Sequence, residues 1–103
     1  MNYLHYRNLL ANDGARAYLA KPYGLELLFI LQQCEDDVAD NGIEDSYDLL
    51  SCHKPRRAAF SSFIQTLETD GHIIKTVSVK KASKSILRMS VEVGKAFRAF
   101  KAS

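Results

Sequence analysis

Several chemical devices are missing from this sequence. Its two cysteines, Cys34 and Cys52, are too few for a disulfide scaffold or a zinc site. Cys52 and His53 form one adjacent ligand pair, with no second close pair to complete a metal centre. There is no glycine-rich phosphate loop, no nucleophile elbow and no HExxH. No convergent acid, base or nucleophile is visible, so neither an enzyme nor a cofactor is expected. Apolar runs stay far short of the roughly 18 residues of a membrane span, and no membrane partner is expected. The opening MNYLHYRNLL has no basic lead, no long apolar stretch and no small-residue cleavage site. It does not read as a signal peptide, and a cytoplasmic address is the expectation.

What is present is an ordinary globular composition. The 103 residues are 47% apolar and 25% charged, which argues for one folded domain and against disorder. Such a chain supports a single modest core, and a partner chain would help it bury more. The net charge of +2 conceals a split. Residues 1–53 hold three basic residues, Arg7, Arg16 and Lys21, against nine acidic ones. Residues 54–88 hold eight basic residues against Glu68 and Asp70. That asymmetry points to one face made for a polyanion, with a solvated surface as the alternative.

Periodicity and punctuation divide the chain. Residues 2–11 read as a short helix rich in Tyr and Leu, stopped near NDG, and ARAYLA as a second helical piece. Pro22 is placed to open a firmer helix, with Leu27, Leu28, Leu31, Cys34 and Val38 at helical spacing and DNG as its stop. Cys34 on that stripe reads as a buried structural thiol. Residues 43–52 make a short helix capped by Asp45 or Ser46, with Leu49 and Cys52 on its core side. Pro55 opens a helix over 55–70 whose apolar stripe is Phe60, Phe63, Ile64 and Leu67. Gly71 suits the left-handed residue that ends it. IIKTVSV (73–79) and SILRMS (85–90) read as strands around the polar turn KKASK. A last helix, 91–101, carries Val93, Ala96, Phe97 and Phe100 on one side.

Short helix, sharp turn, second helix and hairpin is the winged helix-turn-helix order. The expected fold is therefore mainly α (α+β): a single winged helix-turn-helix domain over 1–103. It comprises a helix-turn-helix at 43–70, a two-stranded wing at 72–90 and flanking terminal helices at 1–20 and 91–103. The segment FSSFIQTLETDGHII follows the pattern of the recognition segment of MarR-family transcription regulators, with His72 where an apolar residue is usual. MSVEVGKAF resembles the family's LTEEGRAL segment with one extra residue, and LELLFILQQC and SYDLLSC stand where the family has its upstream helices. The resemblance covers about residues 22–100. It implies a homodimer held by the terminal helices, with Phe97 and Phe100 near the two-fold axis, bound to pseudo-palindromic double-stranded DNA. A small aromatic effector is a further implication of the resemblance. The sequence departs from the family at the wing tip, where KKASK supplies lysine but no arginine, and in its short length.

The candidate DNA-binding residues follow from chemistry. Arg56 and Arg57 open the second helix, with Lys54 just before it, and suit phosphates or guanine edges. Ser61, Ser62, Gln65 and Thr66 lie opposite the apolar stripe, where Gln65 could pair with adenine. Lys80, Lys81, Lys84 and Arg88 populate the wing and suit phosphate contact, which supplies affinity rather than sequence choice. The five tyrosines, Tyr47 among them, read as packing and interface residues rather than a base-stacking platform. The alternative function is a winged-helix adaptor that binds protein rather than DNA, for which the acidic first half offers a surface to a basic partner.

Overall fold

The computed structural model describes residues 2–78, 80, 81 and 83–103. Val79, the last residue of the expected first strand, and Ala82 of the expected turn lie outside the described residues. Among those described, the chain forms α1 (Tyr3–Leu10), α2 (Asp13–Leu19), α3 (Gly24–Asp36), α4 (Ile43–Leu49) and α5 (Arg57–Thr69). β1 (Ile73–Val77), β2 (Ser85–Met89) and α6 (Val91–Ala102) complete it. This is an α+β architecture of six helices and one antiparallel hairpin, whose register pairs Ile73 with Met89 and Val77 with Ser85. No described helix is long and apolar enough to cross a membrane.

Local chemistry sets the element ends. Asn2, Asn12 and Ser90 accept from the backbone N–H three residues on and so cap α1, α2 and α6. Asn12 thus starts a helix where NDG was expected only to stop one, and Asp13 and Gly14 lie inside α2. Gly14 is there for closeness: a Cβ would come within 2.3 Å of Val93 Cγ2. Pro22 does not open α3, which begins two residues later at Gly24. At the end of α5, Gly71 takes φ +79°, His72 N–H donates to Leu67 O at 2.8 Å and Gly71 N–H to Glu68 O at 3.0 Å. This is the glycine-terminated helix end that the sequence led one to expect, and it turns the chain into β1.

The core joins three layers. Leu27, Leu28 and Leu31 of α3, Phe60, Ile64 and Leu67 of α5, and Ile73, Leu87 and Met89 of the hairpin are all buried. Tyr18 is wholly buried, and its hydroxyl donates to His72 O at 2.8 Å, tying α2 to the entry of the hairpin. Burial pushes the Tyr18 phenol well above its ordinary pKa. Three core expectations need correction, the first being Val38, which lies beyond the end of α3 at φ +52° and is 77% exposed. Leu49 is 54% exposed and Cys52 is exposed, whereas Leu50 is buried. The helix ends at Leu49 and Leu50 is extended, with ψ 133°, so helical spacing does not carry on to Cys52. Cys34 is buried, as its place on the stripe implied.

The ends of the chain also differ from expectation. Phe97 and Phe100 are buried within the protomer's own core, Phe97 wholly so, with Phe29 set edge-on to Phe97 at 4.9 Å. They do not form an outward apolar patch. The exposed large apolar residues of the termini are instead Tyr3, Leu4 and Tyr6 on α1 and Val91 at the start of α6.

Candidate functional site

The most distinctive surface is built on α5. Its apolar stripe faces inward, so Ser61, Ser62, Gln65, Thr66 and Thr69 are exposed on the other side. Five hydroxyl or amide side chains and no charge make up that face. Ser62, Gln65, Thr66 and Thr69 line one shallow groove with Asp70. Thr66 Oγ1 donates back to Ser62 O at 3.0 Å, which fixes its hydroxyl against the helix and leaves Gln65 as the longest free hydrogen-bonding arm. An adjoining groove is lined by Lys21, Ala59, Ser62, Phe63 and Thr66. Lys21, which the sequence did not single out, stands 5.6 Å from the Phe63 ring there and brings a cation to the flank of the helix.

Three cations gather at the start of α5. Pro55 precedes the helix rather than opening it, and Arg56 is its extended N-cap at ψ 151°. Lys54 and Arg56 are exposed and make no ion pair among the described residues. Tyr47 of α4 organises this end. Its hydroxyl donates to Pro55 O at 2.5 Å, its ring packs on Phe60 at 5.3 Å, and Lys54 Nζ lies 4.5 Å and Arg57 Cζ 5.1 Å from that ring. Arg57 is not free: its guanidinium contacts Glu44 and lies 3.7 Å from Asp48, both on α4.

The link between α4 and α5 is stapled from α3. Glu26 accepts from Ser51 N–H at 3.0 Å and Cys52 N–H at 3.1 Å, and also from the Ser51 hydroxyl. The Ser51 hydroxyl, helped by the two backbone donors, holds the Glu26 carboxyl below the usual carboxylate range. His53 in the same link sits at φ +53°, a left-handed conformation uncommon for a non-glycine residue.

The hairpin divides its four candidate residues. Lys80 and Lys81 are exposed, and their backbone N–H groups both donate to Ser78 Oγ at 3.1 Å. Ser78 Oγ in turn donates to Asp40 at 2.7 Å, which pins the connection between the strands to the loop after α3. Lys84 turns back onto Asp45 of α4 at 2.8 Å and lowers that carboxyl's pKa, together with the Gly42 N–H. Arg88 points inward. It donates to Asn41 Oδ1, to Leu87 O at 2.9 Å and to Ala39 O at 2.7 Å. Buried Asn41 completes the junction by donating to Ser46 Oγ at 3.2 Å and Leu87 O at 3.3 Å. Arg88 therefore has an internal task, locking β2 to the α3–α4 loop, in place of the solvent-facing phosphate contact expected of it.

The sequence-derived set thus separates into exposed residues on one helix and hairpin (Lys54, Arg56, Ser61, Ser62, Gln65, Thr66, Lys80, Lys81) and residues engaged internally (Arg57, Lys84, Arg88). Among the described residues no cluster of His, Cys, Asp and Glu is arranged to hold a metal ion. No family model, no curated protein and no solved structure matches this chain.

Proposed function

We propose that this chain is a winged helix-turn-helix protein, resembling the MarR family, that binds double-stranded DNA sequence-specifically and regulates transcription by occupancy. The observation that carries the reading is the face of α5. It is a thirteen-residue helix with an uncharged, hydrogen-bonding outer surface, ending in a glycine turn that leads straight into an antiparallel hairpin. A helix of this kind fits the major groove of B-DNA, where Gln matches adenine and Ser or Thr accommodates several bases. Exposed Lys54 and Arg56 at its start, and Lys80 and Lys81 in the hairpin, supply the phosphate contacts that hold register. On this reading α4 and α5 are the helix-turn-helix and the hairpin is the wing.

A homodimer belongs to the same proposal, since two recognition helices about one helical turn, ~34 Å, apart would read a pseudo-palindrome. The apolar surface available for it is Tyr3, Leu4 and Tyr6 of α1 rather than Phe97 and Phe100. No chemistry of its own is required. The adaptor reading draws support from the acidic α4 beside the α5 start, which suits a basic protein. Selection of bound sequences from a random duplex library, with gel shifts over a salt series, separates the two. Enrichment of one motif supports the regulator. No binding even at low salt favours the adaptor.

A further inference from the structure

We propose that α4 is an internal stand-in for the DNA backbone. Its carboxylates hold Arg57 and Lys84, cations that a duplex would otherwise engage, so DNA binding is a competition between phosphate and α4. The inference rests on the duplex-DNA reading of α5 and deepens it into a mode of control.

Geometry brings the parts together. Glu44 and Asp48 are one helical turn apart on α4, so they share a face, and both meet the guanidinium of Arg57, the first residue of α5. The Tyr47 ring lies 5.1 Å from the carbon of the same guanidinium. Asp45 is fixed by the Gly42 N–H at 3.0 Å and takes Lys84 from the hairpin. One short acidic helix thereby neutralises a cation from each of the two elements that would flank a duplex.

Solvent makes these pairs reversible. Arg57, Glu44 and Asp48 side chains are each about 60% exposed, and exposed ion pairs are weak. A duplex presents a dense row of phosphates and gains counterion entropy for each cation it captures, so it can displace a single carboxylate. Once released, Arg57 and Lys84 would add two cations to those that exposed Lys54, Arg56, Lys80 and Lys81 already offer. Carboxylates at the same spot also repel the incoming backbone until their partners are shared.

The test compares the full chain with E44Q/D48N on random duplex DNA by gel shift across salt. The control is E35Q/D36N, which makes the same change in charge at the Arg98 pair near the end of α3. E44Q/D48N should bind more tightly, by up to about fivefold per carboxylate removed. The log–log salt slope should steepen by up to ~0.9 for the released arginine. Adding R57A to E44Q/D48N should erase the gain. Circular dichroism melts confirm that all variants fold. An equal gain in E35Q/D36N, or a gain that survives R57A, would mean that net charge alone is responsible and overturns the proposal. Parent binding with no gain in E44Q/D48N overturns it while leaving the DNA reading intact. Failure of parent and variant alike to bind at low salt overturns both.

Discussion

Replacing Arg88 with alanine should destabilise the protein and, on the proposed DNA-binding reading, leave the salt dependence of that binding unchanged. The guanidinium makes three donations, to Asn41 Oδ1, Leu87 O and Ala39 O. Leu87 O keeps a second donor, Asn41 Nδ2, so it is only partly orphaned. Asn41 Oδ1 belongs to a buried residue and loses its donor, while Ala39 is half-buried and can turn partly to water. A buried acceptor left unmade costs about 1–3 kcal/mol, which puts the total near 2–4 kcal/mol. For a domain of this size that lowers the urea midpoint by about 1–2 M, as followed by circular dichroism. Arg88→Lys recovers only part of the loss, because one ammonium on a flexible stem does not reproduce the planar fork. At urea-free conditions both variants keep the parent salt slope on duplex DNA. A midpoint within about 0.3 M of the parent, with a slope reduced by ~0.9, would show that Arg88 meets phosphate and that the inward geometry is wrong.

Other perturbations test the remaining assignments. Glu26→Gln should lower stability at neutral pH by up to about 1 kcal/mol, a figure kept small because the group is near solvent. The parent carboxyl's pKa is depressed, so its contribution is present above the ordinary carboxylate range and is lost as pH falls through the folded value; the gap to the Gln variant closes in acid on thermal melts. Gln65→Ala should cost about 1–3 kcal/mol on a selected site and little on random duplex, as measured by competition binding. Lys80→Ala with Lys81→Ala should weaken binding on every sequence and remove up to ~1.8 from the salt slope, and an unchanged slope would place both side chains away from DNA. Phe97→Asp should abolish the cooperative melt rather than release a folded monomer, because a charge would enter a wholly buried site.

Much of the architecture was legible because it depends on neighbours in sequence. The stripe of Phe60, Ile64 and Leu67, the glycine at 71 and the β-branched run from Ile73 each act over a few residues. Alternating inward and outward faces on α5 also made its polar residues readable in advance. Capping was less legible. Asn12 starts α2 rather than ending α1, since an asparagine serves turn and cap alike and the choice depended on Gly14 fitting beneath Val93. Likewise Leu49 and Leu50 exchanged roles once α4 stopped three residues short of the expected 43–52.

Sequence alone therefore determined the order of elements, the composition of the α5 face and the concentration of basic charge after residue 53, all properties of local spacing and counting. It could not determine which cations are available. Lys54, Arg57, Lys84 and Arg88 are chemically similar in a string, but tertiary structure places the first over Tyr47, the next two against α4 and the last inside a polar junction with Asn41. Arg57 meets carboxylates 9 and 13 residues away, whereas Asp45–Lys84 and Asn41–Arg88 span 39 and 47 residues. A charge's availability depends on what the folded chain sets beside it, and contacts between residues distant in sequence leave no periodic trace.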